Sequence, residues 1–450
     1  MPLKLVRLSS VCAVAILAVY SGTSSGNDLL TMFRDALAND ATYNSARLTL
    51  TAGRETPIQG FAGLLPTINA TANTVRNDVN VAPRTPSAAF IPGSRVFNTN
   101  GYAITLTQPL FRWANWQTYE QSKLQVLQSE ATFAQAGQDL AVRVVQAYFD
   151  ILSAQDSLRV VGAKKTAISE QLAQAKRNFE VGTSTIVDTN EAQSRYDLVI
   201  AEELAAQNDF EVKRTALLQI TGKMPGALAT LNRDVAIPPP QPVVLDRWVE
   251  AAITGNYQVK ASEAAAEVAR RAIDIQRAGH MPTLDLTASR SRNSSTGSAT
   301  NNVGSDTNFF TLGLQLAVPI YAGGAVESRV RQALANEEKA RSDVEIQKRS
   351  ASQSARQFFL SVTNGLAQVR AFEAARTSSR TSLDSNRLGY EVGVRINIDV
   401  LNAQQQLFTT ERDLAKARYD TIVNSFRLKA ATGSLTEQDI AAVNALLTLP

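Results

Sequence analysis

Residues 177–193 read RNFEVGTSTIVDTNEAQ, and residues 387–404 repeat the same pattern as RLGYEVGVRINIDVLNAQ. Asp188 of the first segment corresponds to Asp399 of the second, at an offset of about 211 residues. A repeat of that length is much longer than a solenoid unit, which has roughly 20–50 residues. The chain therefore contains a duplicated half, and the two halves should build a pseudo-symmetric structure.

The duplication extends upstream of these two segments. LLPTINATA from Leu64 resembles HMPTLDLTA from His280, and Gln108-Pro109 resembles Val318-Pro319. A stiff, proline-rich run, IPPPQP from Ile237, separates the two halves. We therefore expect a first repeat, a linker and a second repeat over residues 27–235, 236–242 and 243–450.

The first 26 residues are typical of a secretory signal peptide. Lys4 and Arg7 precede an apolar run, and small residues follow from Ser21. The only cysteine, Cys12, lies inside this segment, and the only histidine is His280. These counts argue against a disulfide framework, a multi-histidine metal site and imidazole-based catalysis, so we expect neither a cofactor nor an enzyme.

The charge pattern gives no reason to propose nucleic acid as a partner. The formal net charge is +4, and the basic residues are dispersed among acidic ones rather than clustered. No apolar run after the signal segment approaches the roughly 20 residues of a membrane-spanning helix. The mature chain is therefore expected to be periplasmic, extracellular or inserted in a membrane by β-strands.

Long proline-free stretches predict unusually long helices. Val144, Ile151 and Leu158 lie seven residues apart, with Lys165 as the single polar intruder in the stripe. A helix of about 65 residues would be about 100 Å long. A plain helical bundle remains the alternative. We predict long helices over residues 111–181, 188–221, 322–391 and 399–432.

Four other stretches alternate apolar and polar residues, as β-strands with one apolar face do. Each is about nine or ten residues long, which suits a tilted strand that crosses a bilayer. Four strands cannot enclose an open lumen, and an open sheet edge in lipid would leave backbone groups unpaired. Three copies with four strands each would close a twelve-stranded barrel. The predicted strands cover residues 66–76, 101–110, 282–290 and 309–319.

Five short motifs occur along this framework, and together they point to a known family. They are GHMPTLDLTAS from Gly279, VPIYAGG from Val318, GYEVGVRINIDVL from Gly389, ARYDTIVN from Ala417 and TGSLTEQDI from Thr432. In this order they resemble the TolC-type outer-membrane efflux proteins, and the resemblance covers nearly the whole mature chain.

The resemblance implies a mostly α-helical fold with a β-barrel portion. In such a fold, long coiled-coil-like helices form a periplasmic tunnel, and a homotrimer closes a twelve-stranded barrel in the outer membrane of a Gram-negative bacterium. It further implies a passive exit duct for small molecules or, in type I secretion, for proteins. The implied partners are a periplasmic adaptor and an inner-membrane pump of the RND, ABC or MFS class.

The resemblance also implies roles for residues at the two repeated segments. Tyr390 and Arg395 match latch residues that bond to the region of Asp188 and hold the tunnel closed. Asp399 matches an acidic ring at the pore constriction, where its three copies would attract cations. The second ring position is Asn402, where the family pattern has aspartate.

Two further assignments complete this implied site. Glu191, which the repeat places opposite Asn402, is a candidate to restore some negative charge to the constriction. The loop tips expected to contact the partner proteins are Gly182, Thr183, Gly393 and Val394.

Alternative interpretations stay open at the level of sequence. Asp188 and Asp399 could simply be N-caps of the helices that follow them. The whole chain could be a secreted coiled-coil adaptor or adhesin with a soluble β-domain, which would extract without detergent and show no channel activity. An enzyme is the least favoured reading, because catalytic side chains and clustered metal ligands are scarce.

Overall fold

The computed structural model describes residues 28–82, 84–85, 92–232, 236–300 and 302–448. The predicted signal segment, with Cys12, lies outside these residues. Within them the chain is mostly α-helical and has four long strands. The predicted combination of long helices with a small number of strands is therefore confirmed.

Ten α-helices occur among the described residues, and they range from seven to 68 residues in length. In chain order they are α1 (Leu29–Asn39), α2 (Ala41–Gly53), α3 (Thr56–Ala62), α4 (Trp113–Glu180), α5 (Ile186–Thr221), α6 (Leu245–Gly255), α7 (Tyr257–Arg277), α8 (Ala325–Glu391), α9 (Asn397–Ala431) and α10 (Glu437–Asn444). The sequence patterns indicated α4, α5, α8 and α9 but not the shorter helices. Across the described ranges, no helix combines the length and the apolar composition needed to cross a membrane.

All four long helices start at residues other than the predicted ones. α4 begins at Trp113 rather than at 111, because β2 continues to Phe111, and the other three also differ. α5 begins at Ile186 rather than at 188, because the Thr185 side chain caps it. α8 begins at Ala325 rather than at 322, because Gly323 and Gly324 have positive φ angles of 62° and 76°. α9 begins two residues before Asp399, which therefore lies inside its first turn.

Six strands occur in the described parts of the chain. They are β1 (Thr67–Val81), β2 (Gly93–Phe111), β3 (Thr230–Leu231), β4 (Thr283–Ser295), β5 (Ser305–Ala317) and β6 (Leu447–Thr448). β1, β2, β4 and β5 form one antiparallel sheet in the order β1-β2-β4-β5, and β3 pairs with β6. Inside the chain, therefore, β1 and β5 are the edge strands of the larger sheet.

The predicted strand boundaries were wrong where polar residues continue the sheet. β1 extends beyond 76 and β2 begins before 101, since backbone pairing continues from Arg76↔Asn98 to Val81↔Gly93 without apolar alternation. Side-chain bonds support this polar part, such as the one from Asn77 Nδ2 to Thr99 Oγ1 at 3.0 Å. β4 extends beyond 290 in the same way, while β5 is displaced toward the N-terminus of its predicted range.

The two halves interlock rather than fold separately. β2 of the first half pairs with β4 of the second. Where this pairing meets α4, the Arg112 guanidinium donates to both carboxylate oxygens of Asp285, at 2.8 and 2.6 Å. Further along α4, Gln121 Nε2 donates to the Val268 carbonyl of α7 at 2.8 Å. The repeat boundary is therefore a boundary in sequence, while the sheet and the helix packing cross it.

The first hairpin consists of α4 and α5, which lie side by side and are joined by a tight turn. Val144, Ile151 and Leu172 of the heptad stripe are buried, as the stripe predicts. Lys165, the polar intruder, pairs with Glu203 of α5 through a 2.6 Å contact between Nζ and Oε2. An ion pair across the hairpin therefore replaces an apolar contact at that heptad position.

The second hairpin consists of α8 and α9. On α9, buried residues recur every seven positions at Val400, Leu407, Leu414, Thr421 and Leu428. The Thr421 hydroxyl donates to the Ala417 carbonyl at 2.7 Å. Gly365 of α8 lies directly against the Thr421 side chain, so a Cβ atom at position 365 would collide with it. Glycine therefore permits the close approach of α8 and α9 at this level.

Candidate functional site: the two helix tips

Both hairpins end in the same turn. Gly182 and Gly393 have φ angles of 78° and 80°, and each lies just beyond the end of its helix. At the first turn, Gly182 N donates to Phe179 O and Thr183 N donates to Asn178 O, at 3.0 and 2.8 Å. The bonds from Gly393 N to Tyr390 O and from Val394 N to Gly389 O repeat this pattern. The two turns are therefore matching Schellman motifs, in which glycine adopts the left-handed conformation.

At the first tip, Asp188 belongs to the capping box of α5. Thr185 is the N-cap, and its Oγ1 accepts from Asp188 N. Asp188 Oδ2 in return accepts from Thr185 Oγ1 at 2.7 Å and from Thr185 N at 3.0 Å. These bonds from the Thr185 hydroxyl and backbone stabilise the carboxylate and lower the pKa of Asp188 below its usual value. Asp188 is therefore the third residue of the helix, not the N-cap considered from the sequence.

At the second tip, the corresponding aspartate has a different environment. The N-cap of α9 is Ile396, which has no hydroxyl and forms no side-chain cap. Asp399 N donates to the Ile396 carbonyl at 3.1 Å, while the Asp399 carboxylate lies 3.6 Å from Nη1 of Arg395. The Asp399 side chain is 34% exposed. In the described part of the chain, its carboxylate accepts none of the backbone bonds that hold Asp188.

Tyr390 is the predicted latch residue that reaches the other hairpin within this chain. Its ring packs against the cluster of Leu383, Val400 and Leu407, and its hydroxyl lies 3.5 Å from Asn178 Nδ2. Within the described residues of one chain, Asp188 has no hydrogen bond or ion pair with Tyr390 or Arg395. The predicted latch residues therefore lie at the same end of the molecule but are not joined through Asp188 inside one copy.

The sequence analysis missed Arg195, which lies on α5 two turns beyond Asp188. Its Nη2 donates to Asn402 Oδ1 on α9 at 3.0 Å and lies 3.7 Å from Glu191 Oε1. Glu191, proposed as a compensating acid, is thus paired with a cation. The spacing of four residues between Glu191 and Arg195 could have indicated that pair, but no sequence signal indicates the contact with Asn402.

The outermost surface of both tips is apolar and exposed. Val394 is 76% exposed, and its neighbours Val392 and Ile396 are exposed as well. Val181 and Val187 form the corresponding surface at the first tip. Contiguous exposed apolar residues of this kind commonly mark an interaction surface.

The polar interactions at the tips are hydrogen bonds and ion pairs. Across the described residues, no group of three His, Cys, Asp or Glu side chains could hold a metal ion. Two ion pairs lie near the tips: Arg395, in the turn before α9, lies beside Asp399, and Arg195 and Glu191 pair within α5. These contacts can hold the two hairpins together and place charge at the tips. Both effects depend on the distance between the two hairpins.

Comparison with known proteins assigns this architecture to a family. The family model described as outer membrane efflux protein matches residues 32–223 and 248–434, which are the two halves. The chain is 32% identical over 440 residues to the outer membrane protein TolC of Vibrio cholerae, and the match covers 98% of each chain. It is also 32% identical over 444 residues to the proteases secretion protein PrtF of Dickeya chrysanthemi, covering 96% of this chain and 94% of that one.

A solved structure shows the same fold at lower sequence identity. The outer membrane channel CmeC of Campylobacter jejuni superposes with a TM-score of 0.77 at 15% identity, covering 100% of this chain and 98% of that chain. Both halves match the family model, and both hairpin tips lie within the matched ranges. The chain belongs to the outer membrane efflux protein family.

Proposed function

We propose that three copies of this chain form one export duct, which opens to the exterior through a shared barrel and closes at the helix tips. The observation that carries this proposal is the four-stranded sheet with two edges, β1 and β5, left unpaired within the chain. In a bilayer, unpaired backbone groups at such edges are too costly to persist, because no water is available to bond them. Pairing β5 of one copy with β1 of the next satisfies both edges.

The side chains of the sheet fit this arrangement. Ile68, Ile104, Leu312, Leu314 and Leu316 are exposed in the single chain and lie on one face of the sheet. The opposite face carries threonine, glutamine and asparagine. An apolar outer face and a polar inner face are what a barrel with lipid outside and water inside requires.

The chain is an outer-membrane exit duct of the efflux and type I secretion class, with a large periplasmic portion. Its longest helix, α4, has 68 residues and is about 100 Å long. Channels of this class work with adaptor proteins and inner-membrane pumps. We place the adaptor contact at Gly182, Thr183, Gly393 and Val394, where exposed valines surround the turns. The pump, of the RND, ABC or MFS class, supplies the energy, and the duct itself carries out no reaction.

The gate is proposed to close between copies as well as within them. Asp188 Oδ2 is engaged by Thr185, whereas Oδ1 accepts no bond in the described part of the chain. The Arg395 side chain is largely exposed beside the second tip. Arg395 of one copy can therefore bond to Asp188 of a neighbouring copy, while Tyr390 holds the two hairpins of its own copy through Asn178.

The constriction is proposed to carry three Asp399 carboxylates around the pore axis. Carboxylates crowded in a narrow pore focus negative potential and favour cations. Asn402, three residues later on the same face of α9, adds no charge, and Glu191 is offset by Arg195. We therefore expect a cation preference that depends mainly on Asp399, whose neighbour Arg395 bonds to Asp188 of the adjacent copy in the proposed gate.

Bilayer recording tests the duct and its latch together. Detergent-extracted protein should be a trimer and should conduct poorly in a planar bilayer. Tyr390→Phe combined with Arg395→Ser should raise the conductance several-fold, because both closing contacts are lost. Arg349→Ser is the matched control, since Arg349 pairs with Glu345 on α8 at a distance from the tips.

Two outcomes would contradict the proposal in different ways. A folded preparation that stays monomeric and never permeates a lipid film would overturn the shared barrel. A conducting trimer whose conductance is unchanged by the double substitution would leave the duct intact and reject these residues as latches.

A further inference from the structure

Among the described residues, two side-chain hydrogen bonds join the two hairpins of one chain near their tips. One joins Asn178 and Tyr390 at 3.5 Å, and the other joins Arg195 and Asn402 at 3.0 Å. The second is shorter and carries a full positive charge on the donor. Hydrogen bonds with an ionised partner are roughly twice as strong as neutral ones.

We propose that Arg195 is a closing latch of this chain, which holds α9 against α5 through Asn402 and neutralises the constriction at that level. This inference rests on the proposed gate at the helix tips, and it adds a residue that the family pattern did not indicate. Arg195 acts by positioning α9, not by reacting with the cargo.

The geometry around Arg195 suits a latch better than a solvated surface charge. Its side chain is only 29% exposed, and Glu191 lies four residues earlier on the same helical face. The Glu191 carboxylate orients the guanidinium from its own helix, while Nη2 reaches across to Asn402. Because the planar guanidinium is oriented in advance, less side-chain entropy is lost when the second bond forms.

The apolar packing at this level is limited to a small cluster, so the bond between Arg195 and Asn402 is one of few contacts that join the hairpins there. Ile168, Val199 and Leu401 form a small apolar cluster that joins the two hairpins at this level. Beside it lies a cavity of about 190 Å³, lined in part by Arg195 and Gln404. An interface with few buried contacts opens at low cost, which is the property expected of a gate.

The latch must break when the hairpins separate. Arg195 and Asn402 lie on different hairpins, so any movement of α9 away from α5 lengthens the 3.0 Å bond. Loss of one charge-assisted hydrogen bond shifts a closed–open equilibrium by about tenfold. Removing Arg195 should therefore favour the open state without altering the turns themselves.

The same contact explains how the chain functions with asparagine at position 402. A carboxylate there would face the Arg195 guanidinium, form an ion pair and tighten the closed state. Its charge would be offset by Arg195, so it would add little to the cation preference. If Arg195 is a latch, Asn402→Asp should strengthen closure and leave the cation preference unchanged. If position 402 belongs to a simple acidic ring, the same substitution should raise the cation preference.

The test compares conductance and reversal potential of reconstituted trimers. Arg195→Gln and Asn402→Ala should each raise the open fraction by up to about tenfold, and their combination should do no more than either alone. Asn402→Asp should lower the conductance and leave the reversal potential unchanged, but should increase cation preference in an Arg195→Gln background. Arg195→Lys with Asn402→Asp should restore closure, because a compact ammonium can pair with the introduced carboxylate.

Arg214→Gln is the matched control, because Arg214 also lies on α5 and pairs with Glu211 on its own helix, but bonds Pro225 instead of α9. It should leave the conductance unchanged. The inference is overturned if Arg195→Gln conducts like the wild type, or if the effects of Arg195→Gln and Asn402→Ala add. The Tyr390→Phe, Arg395→Ser trimer distinguishes failure of this inference from failure of the proposed duct. If that trimer opens while Arg195→Gln does not, the duct stands and only the Arg195 latch is rejected.

Discussion

At the first tip, Thr185 and Asp188 close a capping box, whereas at the second tip Ile396 occupies the position of Thr185 and Asp399 that of Asp188. The turns that precede these helices share a glycine in the left-handed conformation and the same pair of Schellman bonds, and the second turn adds a bond from Arg395 N to Gly389 O at 3.0 Å. The backbone of the duplicated segment is thus retained, while the environment of one carboxylate has changed.

In the proposed gate, this difference gives the two repeats different aspartates, one that caps a helix and one that faces the pore. The Thr185 hydroxyl directs Asp188 toward its own helix start, where the bonds stabilise α5. An isoleucine at the same place leaves the Asp399 carboxylate available to Arg395 and to the space in front of the tip. In the proposed duct, this hydroxyl group would therefore determine which of the two acids is available to a permeating ion.

Gly182→Ala and Gly393→Ala test the feature that the two tips share, which is the turn with a left-handed glycine. Alanine in the left-handed conformation costs about 1–2 kcal/mol, and at both positions the space around a Cβ atom is empty, so the backbone alone sets this cost. Amide hydrogen exchange at residues of each turn should accelerate roughly 5- to 30-fold. Mass spectrometry of the trimer would measure this for both tips at once.

Gly162→Ala provides the control for the glycine substitutions. Gly162 lies in the interior of α4 with open space around it, so alanine should stabilise the helix there by about 0.5–1 kcal/mol. If hydrogen exchange accelerates at only one of the two tips, the two turns are not energetically equivalent.

The differing part of the comparison is tested by exchanging the caps. Ile396→Thr supplies the missing hydroxyl, and the cap should stabilise the start of α9 by about 1 kcal/mol, which is about fivefold slower hydrogen exchange there. The reversal potential should also move toward weaker cation preference, because Asp399 turns to its own backbone. Thr185→Ile should accelerate exchange at the start of α5 by a similar factor.

Ile396→Val is the matched control for the cap exchange, since it changes an exposed side chain without adding a hydroxyl. It should behave like the wild type in both measurements. Equal slowing by valine and threonine would show that the hydroxyl is not the deciding group.

The smallest expected effect is the acid sensitivity of the first tip. The pKa of Asp188 is lowered in the folded chain from an ordinary value of 3.8, because Thr185 donates to its carboxylate. Its contribution to stability is therefore fully present above about 3.8 and is lost as the pH falls through the lower folded value. Hydrogen exchange at residues 186–190, corrected for the intrinsic rate, should show this loss only in strongly acidic solution.

Asp188→Asn removes the titrating group and should abolish that pH dependence. The first turn of α9 has no capping box and serves as the internal reference. A pH dependence that survives in Asp188→Asn would have to arise from another carboxyl group.

Much of the frame could be predicted because it follows repeating patterns. The heptad stripe of Val144 and Ile151 lies in the buried seam of α4, and the alternating stretches lie in the sheet. These signals are local, since periodicities of seven and two residues follow from helix and strand geometry alone. The ends of β1 and β2 were missed because their polar residues pair through the backbone, which leaves no apolar signature.

The candidate site was only partly accessible to sequence reasoning. The spacing of Thr185 and Asp188 is a capping-box signature and could have been read directly. The contact between Arg195 and Asn402 could not, because 207 residues of sequence separate the two and only tertiary packing brings them together. Residues that act across two hairpins leave no periodic trace in either one.

The pairing of β2 with β4 also predicts how β5 of one subunit should pair with β1 of the next. Thr107 lies opposite Thr287, at the junction between the two halves. Thr107 immediately precedes Gln108-Pro109, which matches Val318-Pro319, so the counterpart of Thr107 in the second half is Ala317. Thr287 follows Pro282 at the same distance as Thr71 follows Pro66, so the counterpart of Thr287 in the first half is Thr71. The seam between subunits should therefore place Ala317 opposite Thr71 of the adjacent subunit. The internal junction is thus a template for the external one, and the proposed ring of three molecules would have approximate sixfold order.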